Sequence, residues 1–258
     1  MRIARRLRNL MTHLRRVADD ERIRAAAVTY GRLDYPGAAI HLQLTSRPEF
    51  QRLHSCTKEP WTVRWIEEYL KPGEVLYDVG ANVGAYTLLA AVAIPGARVV
   101  AFEPSPANFA ALCANVELNG VAASVTPVPI ALGDRTTSAL LDDDGALPGA
   151  SARLHDAHAA ASGVSVLVDR LDDIVQRFDL PRPDHVKLDV DGFELEVLEG
   201  GARLLTSGGV KSAMVELNRE RDGDVVDRLA GLGFELLERA SGRDRGRTAP
   251  TYGLFARA

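Results

Sequence analysis

The chain has 258 residues, 46% hydrophobic and 26% charged, which suits one large globular domain, alone or with a small appendage. Its formal net charge of −4 gives no support to nucleic-acid binding, and its two cysteines, Cys56 and Cys113, are too few for a disulfide framework and lack metal-ligand spacing. No apolar run is long enough to span a bilayer: the best, Leu88 to Phe102, is broken by Pro95, Gly96 and Arg98, and a cytoplasmic protein is expected.

The first twenty residues put Ile3, Leu7, Leu10, Leu14 and Val17 on one helical face, ringed by Arg2, Arg5, Arg6, Arg8, Arg15 and Arg16. Such a helix either makes peripheral contact with an anionic membrane or packs on the domain or a partner chain, as in a homodimer; the second reading is the plainer. Residues 1–50 are read as this basic helix with a small β extension, strand 38–44, ahead of a main domain over 51–258.

A helix over 61–70 stops at Pro72-Gly73. Strand 75–79 leads into helix 84–93, strand 97–102 into helix 106–118, and strand 124–130 follows, its prolines marking an edge or irregular position. Residues 142–163, rich in Asp, Ala, Gly and Ser, read as a mobile surface loop, with Asp142 to Asp144 a solvated acidic turn. Strand 164–168 and helix 169–178 restore order. Strand 184–190, helix 193–206, strand 211–218, helix 222–231 and strand 234–238 continue the alternation, and strand 251–257 closes it beyond a solvated hairpin loop over 239–250. The pattern predicts an α/β fold: a doubly wound, mostly parallel sheet with helices on both faces and an antiparallel hairpin at its C-terminal end.

In such sheets ligands bind at the carboxyl ends of the strands. "DVGANVG" (78–84) sits at that end of strand 75–79. Asp78 can accept hydrogen bonds that hold the turn, Gly80 permits a tight turn and close backbone approach, and Gly84 permits close packing of helix on strand. Ala81 and Asn82 complete the turn, Asn82 being a residue that tolerates positive φ. The helix start at Tyr86 and Thr87 offers free backbone N–H groups. The spacing is not G-x-G-x-x-G, nor a G-x-x-x-x-G-K-[ST] phosphate loop. It resembles instead the looser D-x-G-x-x-x-G of methyltransferases that use S-adenosylmethionine. Glu103, followed by Pro104, lies 19 residues past Gly84 at the end of the next strand, where an acid can take both ribose hydroxyls. "ALGD" (131–134) ends the third strand: Ala131 and Leu132 are positioned for an adenine ring, and Asp134 for its amino group.

"HVKLDVDGFELEVLEGG" (185–201) is the second unusual stretch. Alternation puts Lys187, Asp189 and Asp191 on one side of the strand. Such charges are costly in a core and are expected at its carboxyl end, toward the ligand. Glu194 opens a helix, where a carboxylate is favoured. Asp189, Asp191 and Glu194 are the candidate catalytic acids, one of them serving as base or anchor for an acceptor hydroxyl. A divalent cation on Asp189 and Asp191 is a less favoured second reading, and no resident metal is expected. Glu216 and Asn218 end the next strand near the same rim, and "HSCTKEPWT" (54–62), with His54, Lys58 and Glu59, is placed to fold over the ligand as a lid.

In this order, "KEPWT", "YDVGANVGAYTLLAA", "VVAFEPSPANFAALCANVELNG", "ALGD", "VDRLDDIV" and "KLDVDGFELEVLEGGARLL" resemble the FkbM family of S-adenosylmethionine-dependent methyltransferases, over residues 54–218. The resemblance implies a seven-stranded class I, Rossmann-like methyltransferase fold and O-methylation of a small molecule, sugar or glycolipid acceptor. Carried over by position, Asp78, Gly80 and Gly84 would form the cofactor turn, Glu103 would take the ribose, and the run around Asp189 would face the methyl group. The family commonly has Glu where this chain has Asp191, which sets that carboxylate back by about one methylene. Two rivals stand beside this reading. A NAD-dependent oxidoreductase is disfavoured by the glycine spacing. A non-catalytic, membrane-associated binding protein on the same fold is opposed by the intact turn and Glu103.

Overall fold

The structure, a computed structural model, describes residues 29–142, 147–151, 153–156, 163–207, 209–217, 221–243 and 248–257. The basic segment 1–20 and Asn218 therefore lie outside the described residues.

The chain opens with an antiparallel hairpin, β1 (Thr29–Arg32) and β2 (His41–Leu44), followed by three short helices, α1 (Arg47–Arg52), α2 (Ser55–Lys58) and α3 (Pro60–Tyr69). Ser46 and Glu49 form a capping box that starts α1, a signal present in the sequence as Ser-x-x-Glu. The alternating part then runs β3 (Val75–Val79), α4 (Ala85–Ala93), β4 (Arg98–Phe102), α5 (Pro106–Leu118) and β5 (Val125–Val128). After an excursion it resumes with α6 (Leu171–Arg177), β10 (His185–Leu188), α7 (Glu194–Gly200), α8 (Ala202–Thr206), β11 (Ser212–Leu217), α9 (Asp222–Gly231), β12 (Glu235–Arg243) and β13 (Thr248–Ala256).

Seven strands form the main sheet in the order β5-β4-β3-β10-β11-β13-β12, parallel except for β13, which runs antiparallel to both neighbours. This is the predicted architecture, and β5, the strand with the prolines, is its edge. All five residues of "VLYDV" in β3 are buried, as expected of a central parallel strand covered on both faces. They alternate between two cores. Leu76 joins the layer made by Trp65, Leu88 and Leu112, whereas Val75, Tyr77 and Val79 join the layer of Ile174, Leu198 and Leu229. Leu33, Ile40 and Leu42 of the N-terminal hairpin enter the first core, and Asn115 of α5 and Asn119 at its C-cap accept hydrogen bonds from Gln43 N and His41 N (2.7 and 2.8 Å).

The excursion departs from the expected surface loop. β6 (Ala131–Leu132), β7 (Thr137–Asp142), β8 (Arg153–Asp156) and β9 (Val164–Asp169) form a second sheet in the order β6-β9-β7-β8, with a small core of Ala139, Leu141, Val166 and Val168. Part of 142–163 is thus strand, and residues 147–151 are docked rather than free. Ala131 and Leu132 belong to this sheet, pairing with β9, and do not extend β5, because Pro129 removes the N–H that a continuing strand would need. The hairpin loop expected over 239–250 is shorter than the composition suggested: β12 runs to Arg243 and β13 restarts at Thr248.

Candidate active site

The carboxyl ends of β3, β4 and β10 meet at one cleft, where the strand order reverses beside β3. Of the residues singled out in the sequence, Gly80, Asn82, Glu103, Pro104, Ala131, Leu132, Asp189 and Asp191 line it. Asp78, Ala81, Gly84, Tyr86, Thr87, Asp134 and Glu194 are not among its lining.

The glycine turn is built by backbone. Gly80 N and Ala81 N both donate to Phe102 O at 3.0 Å, tying the turn to β4. Gly80 has φ +84°, and a Cβ there would stand 1.8 Å from the carbonyl oxygen of Asp189. The close approach this glycine permits is that of the chain's own second motif. Asn82, at φ +52°, donates its backbone N–H to Glu103 Oε2 (2.7 Å) and its side-chain amide to Ala150 O (3.0 Å). Gly84 serves helix–helix rather than helix–strand packing, since its missing Cβ makes room for Leu112 of α5 at 2.6 Å. No side chain caps the start of α4.

Glu103 is buried, and its other oxygen accepts from Ser105 N (2.8 Å). Burial outweighs these hydrogen bonds and pushes its pKa up to about 7. Each oxygen keeps a lone pair for a further donor, so the carboxylate fits a pair of ribose hydroxyls. Leu132, with Phe102 and Ile130, gives an apolar wall beside it. Asp134 is exposed, near Arg135 (3.8 Å), and does not reach the cleft. Asn108 of α5 also lines the cleft: its side chain clasps Gly149 N and Ala150 O (2.8 and 3.1 Å), holding segment 147–151 over the turn. It sits inside a helical pattern, where nothing in the sequence marks it.

Beneath the turn lies a buried charge cluster. Lys187 Nζ is 2.9 Å from Asp189 Oδ2, 3.8 Å from Asp78 Oδ1 and 5.1 Å from the centre of the Tyr86 ring. The lysine is about 1% exposed. It is therefore a floor beneath the site and not a rim charge facing the ligand. Burial raises the pKa of Asp78 against the opposing pull of the Lys187 ammonium; Thr87 Oγ1 donates to Asp78 Oδ2 (2.6 Å). Asp78 Oδ1 has no hydrogen-bond partner. Burial also opposes ionisation of Asp189, but the adjacent Lys187 overcomes it and holds that carboxyl below its ordinary value. Tyr252 OH donates to Asp189 Oδ2 (3.2 Å).

The other acids divide. Asp191 follows the strand at φ +52° and is exposed, so strand alternation does not extend to it. Glu194 is buried, and its Oε1 accepts from Val190 N and Gly192 N (3.2 Å each), bracing the turn between Asp189 and α7. Glu216, at the end of β11, has its pKa pushed up to about 9 by burial and by Asp189, Asp191 and Glu194. Glu59, expected in a lid, is buried against α4 and accepts from Tyr86 OH (2.8 Å), while Lys58 pairs with it from the surface. Among the described residues no cluster of three His, Cys, Asp or Glu is arranged to hold a metal ion, and no helix is long and apolar enough to cross a membrane.

The arrangement offers a carboxylate for vicinal hydroxyls at one end of the cleft and an ionised, partly exposed carboxylate at the other. Comparison with known proteins identifies the family and the fold. The profile of the "Methyltransferase FkbM domain" matches residues 78–236. Hexuronic acid methyltransferase AglP of Haloferax volcanii is 29% identical over 195 residues, 75% of this chain and 76% of its own. The 31-O-demethyl-FK506 methyltransferase FkbM of Streptomyces tacrolimicus is 52% identical over 56 residues, 22% of each chain. Among solved structures, methyltransferase FkbM from Methylobacillus flagellatus superposes with a TM-score of 0.53 at 17% identity, covering 72% of this chain and 44% of that one. Magnesium protoporphyrin IX methyltransferase from Synechocystis, solved with bound S-adenosylmethionine, superposes at 0.50 and 15%, covering 83% and 86%. The fold is thus the class I methyltransferase sheet, and the chain belongs to the FkbM family of methyltransferases.

Proposed function

We propose that the protein uses S-adenosylmethionine to methylate a hydroxyl oxygen, on a sugar, glycan or natural product, in the cytoplasm. The observation that carries this reading is Asp189: a carboxylate kept ionised by a buried lysine, with a 24% exposed side chain on the cleft. A hydroxyl acceptor must lose a proton as it is methylated, and this group stands ready to take it. The names of AglP and FkbM, one acting on a hexuronic acid and one a 31-O-demethyl product, support an oxygen acceptor.

The cofactor would supply an electrophilic methyl group on sulfur. The residues of the cleft fit it: Glu103 holds the ribose, Leu132 and Ile130 flank the base, and the turn at Gly80 and Asn82 takes the amino-acid end. Asp78 and Lys187 act from below, fixing the turn and Asp189. The chain's contribution is chiefly alignment, which for in-line displacement accounts for most of the acceleration. Family membership sets aside the oxidoreductase reading.

Calorimetric titration with S-adenosylhomocysteine tests it. Micromolar binding is expected, weakened ~10- to 100-fold in Glu103→Ala, the net worth of about one hydrogen bond to a charged acceptor. Affinity should also fall below pH about 7 as Glu103 protonates. Unchanged affinity in the variant would rule out the ribose anchor.

A further inference from the structure

We propose that Glu216 is a positioning residue for Asp189: the two carboxyl groups hold one proton between them, carried on Glu216, and this hydrogen-bonded pair orients Asp189 toward the acceptor hydroxyl. The catalytic half of the proposal rests on the O-methyltransferase reading; the shared proton does not.

The geometry comes from strand register. β10 and β11 are parallel neighbours paired through Leu188 and Val215, so Asp189 and Glu216 stand side by side one residue further, on the carboxyl edge. Register sets the two side chains on the same face of the sheet, next to each other at its carboxyl edge. β13 closes the other side: Tyr252 pairs with Glu216 across the sheet, and its hydroxyl reaches back to Asp189 Oδ2. Lys187 also binds Oδ2, which leaves Oδ1 of Asp189 for further donors. Two adjacent carboxyls cannot both ionise in a confined site, and a hydrogen bond between them requires a proton on one.

The surroundings decide which one. Asp189 has the ammonium of Lys187 in contact, with Arg52 and Lys58 adding positive field. Glu216 faces acids: Asp189 from β10, Asp191 from the following turn and Glu194 from α7. Tyr252 and, beyond it, Glu59 and Tyr86 complete the shell. Lys187 is already engaged by Asp189 and Asp78. The proton therefore resides on Glu216 near neutral pH, and burial among these acids keeps it there up to about 9.

In the reaction the acceptor oxygen bonds to the methyl carbon while the carbon–sulfur bond breaks and its electron pair stays on sulfur. The acceptor's proton passes to Asp189, and the pair, then doubly protonated, returns one proton to water. Glu216 touches neither reacting atom; it fixes where Asp189 points.

Infrared difference spectra of the ligand-free protein, wild type against Glu216→Gln, test the shared proton. The expected result is a protonated-carboxylic-acid carbonyl band in the wild type near neutral pH, lost as pH passes about 9 and missing from the variant. A wild-type spectrum without a band that Glu216→Gln removes would overturn the proposal. Positioning is tested by methyl transfer to a methyl hexuronide. Glu216→Gln, which still donates to Asp189, should keep near-normal turnover and lose any change in rate on passing about pH 9. Glu216→Ala should lose ~10- to 100-fold in kcat, the scale of a misaligned group, with S-adenosylhomocysteine affinity unchanged. Equal turnover in wild type and Glu216→Ala would overturn the positioning role. A wild type that shows the infrared band but does not methylate the hexuronide counts against that acceptor, with the shared proton standing.

Discussion

Replacing Lys187 by Met removes the cation between buried Asp78 and half-buried Asp189 and keeps much of the side-chain volume. Its Nζ serves Asp189 at 2.9 Å and Asp78 at 3.8 Å, and both Lys187 and Asp78 side chains are at most 2% exposed. Removing one partner of such a pair leaves charge buried without compensation, a cost of ~3–5 kcal/mol. The pH dependence identifies the cause. In the wild type Asp189 has a lowered pKa, so its contribution is present above the ordinary Asp value and is lost as pH falls through the folded one. In the variant both acids lose their cation and take up protons on folding, so stability now falls as pH rises. The deficit should be largest in mildly alkaline buffer and shrink toward pH ~5, where protonated acids are tolerated. Urea unfolding followed by circular dichroism measures it, with an expected midpoint shift of ~1–2 M at the alkaline end. Adding Asp78→Asn to Lys187→Met should recover part of the loss there. An equal deficit at both pH values would mean that lost packing, not unpaired charge, is responsible.

Three other outcomes are expected. Asp189→Asn should lower turnover by ~10²–10⁴, the usual contribution of a general base, while S-adenosylhomocysteine affinity stays the same; a matching loss in affinity would assign Asp189 to the cofactor. Gly149 has φ +85°, and a Cβ there would meet Glu49 N at 2.5 Å, so Gly149→Ala should cost ~1–3 kcal/mol and undock segment 147–151. Hydrogen exchange of that segment should then rise, and unchanged exchange would show that the clasp of Asn82, Asn108 and Arg52 on it is not what holds it. Glu74 is half-buried, which opposes ionisation, yet Lys211 and His185 bring its pKa down to about 2. Glu74→Gln should therefore lose ~1–3 kcal/mol at neutral pH and lack the part of acid unfolding that the wild type shows between its ordinary value of 4.5 and about 2; an unchanged acid transition would refute the assignment.

Local chemistry made the central sheet legible. The buried run of β3, the glycine turn and the strand–helix alternation each depend on neighbours in the chain, and their periods read directly into elements. The same applies to Glu103, since the end of a strand beside a glycine turn has one place to go. The edge position of β5 followed from its prolines for the same reason. What the sequence left open depended on partners distant along the chain. The second sheet pairs short strands from 131–132, 137–142, 153–156 and 164–169, and such pairing has no periodicity to announce it. Gly80 looked like a seat for ligand; only the crossing of Asp189 behind it shows that the glycine also joins two motifs. Lys187 reads as a costly charge on a strand until Asp78 from β3 arrives beside it. Glu216 becomes Asp189's neighbour only when β10 and β11 align, because side-by-side placement on a parallel sheet is decided by register, a property of two strands together.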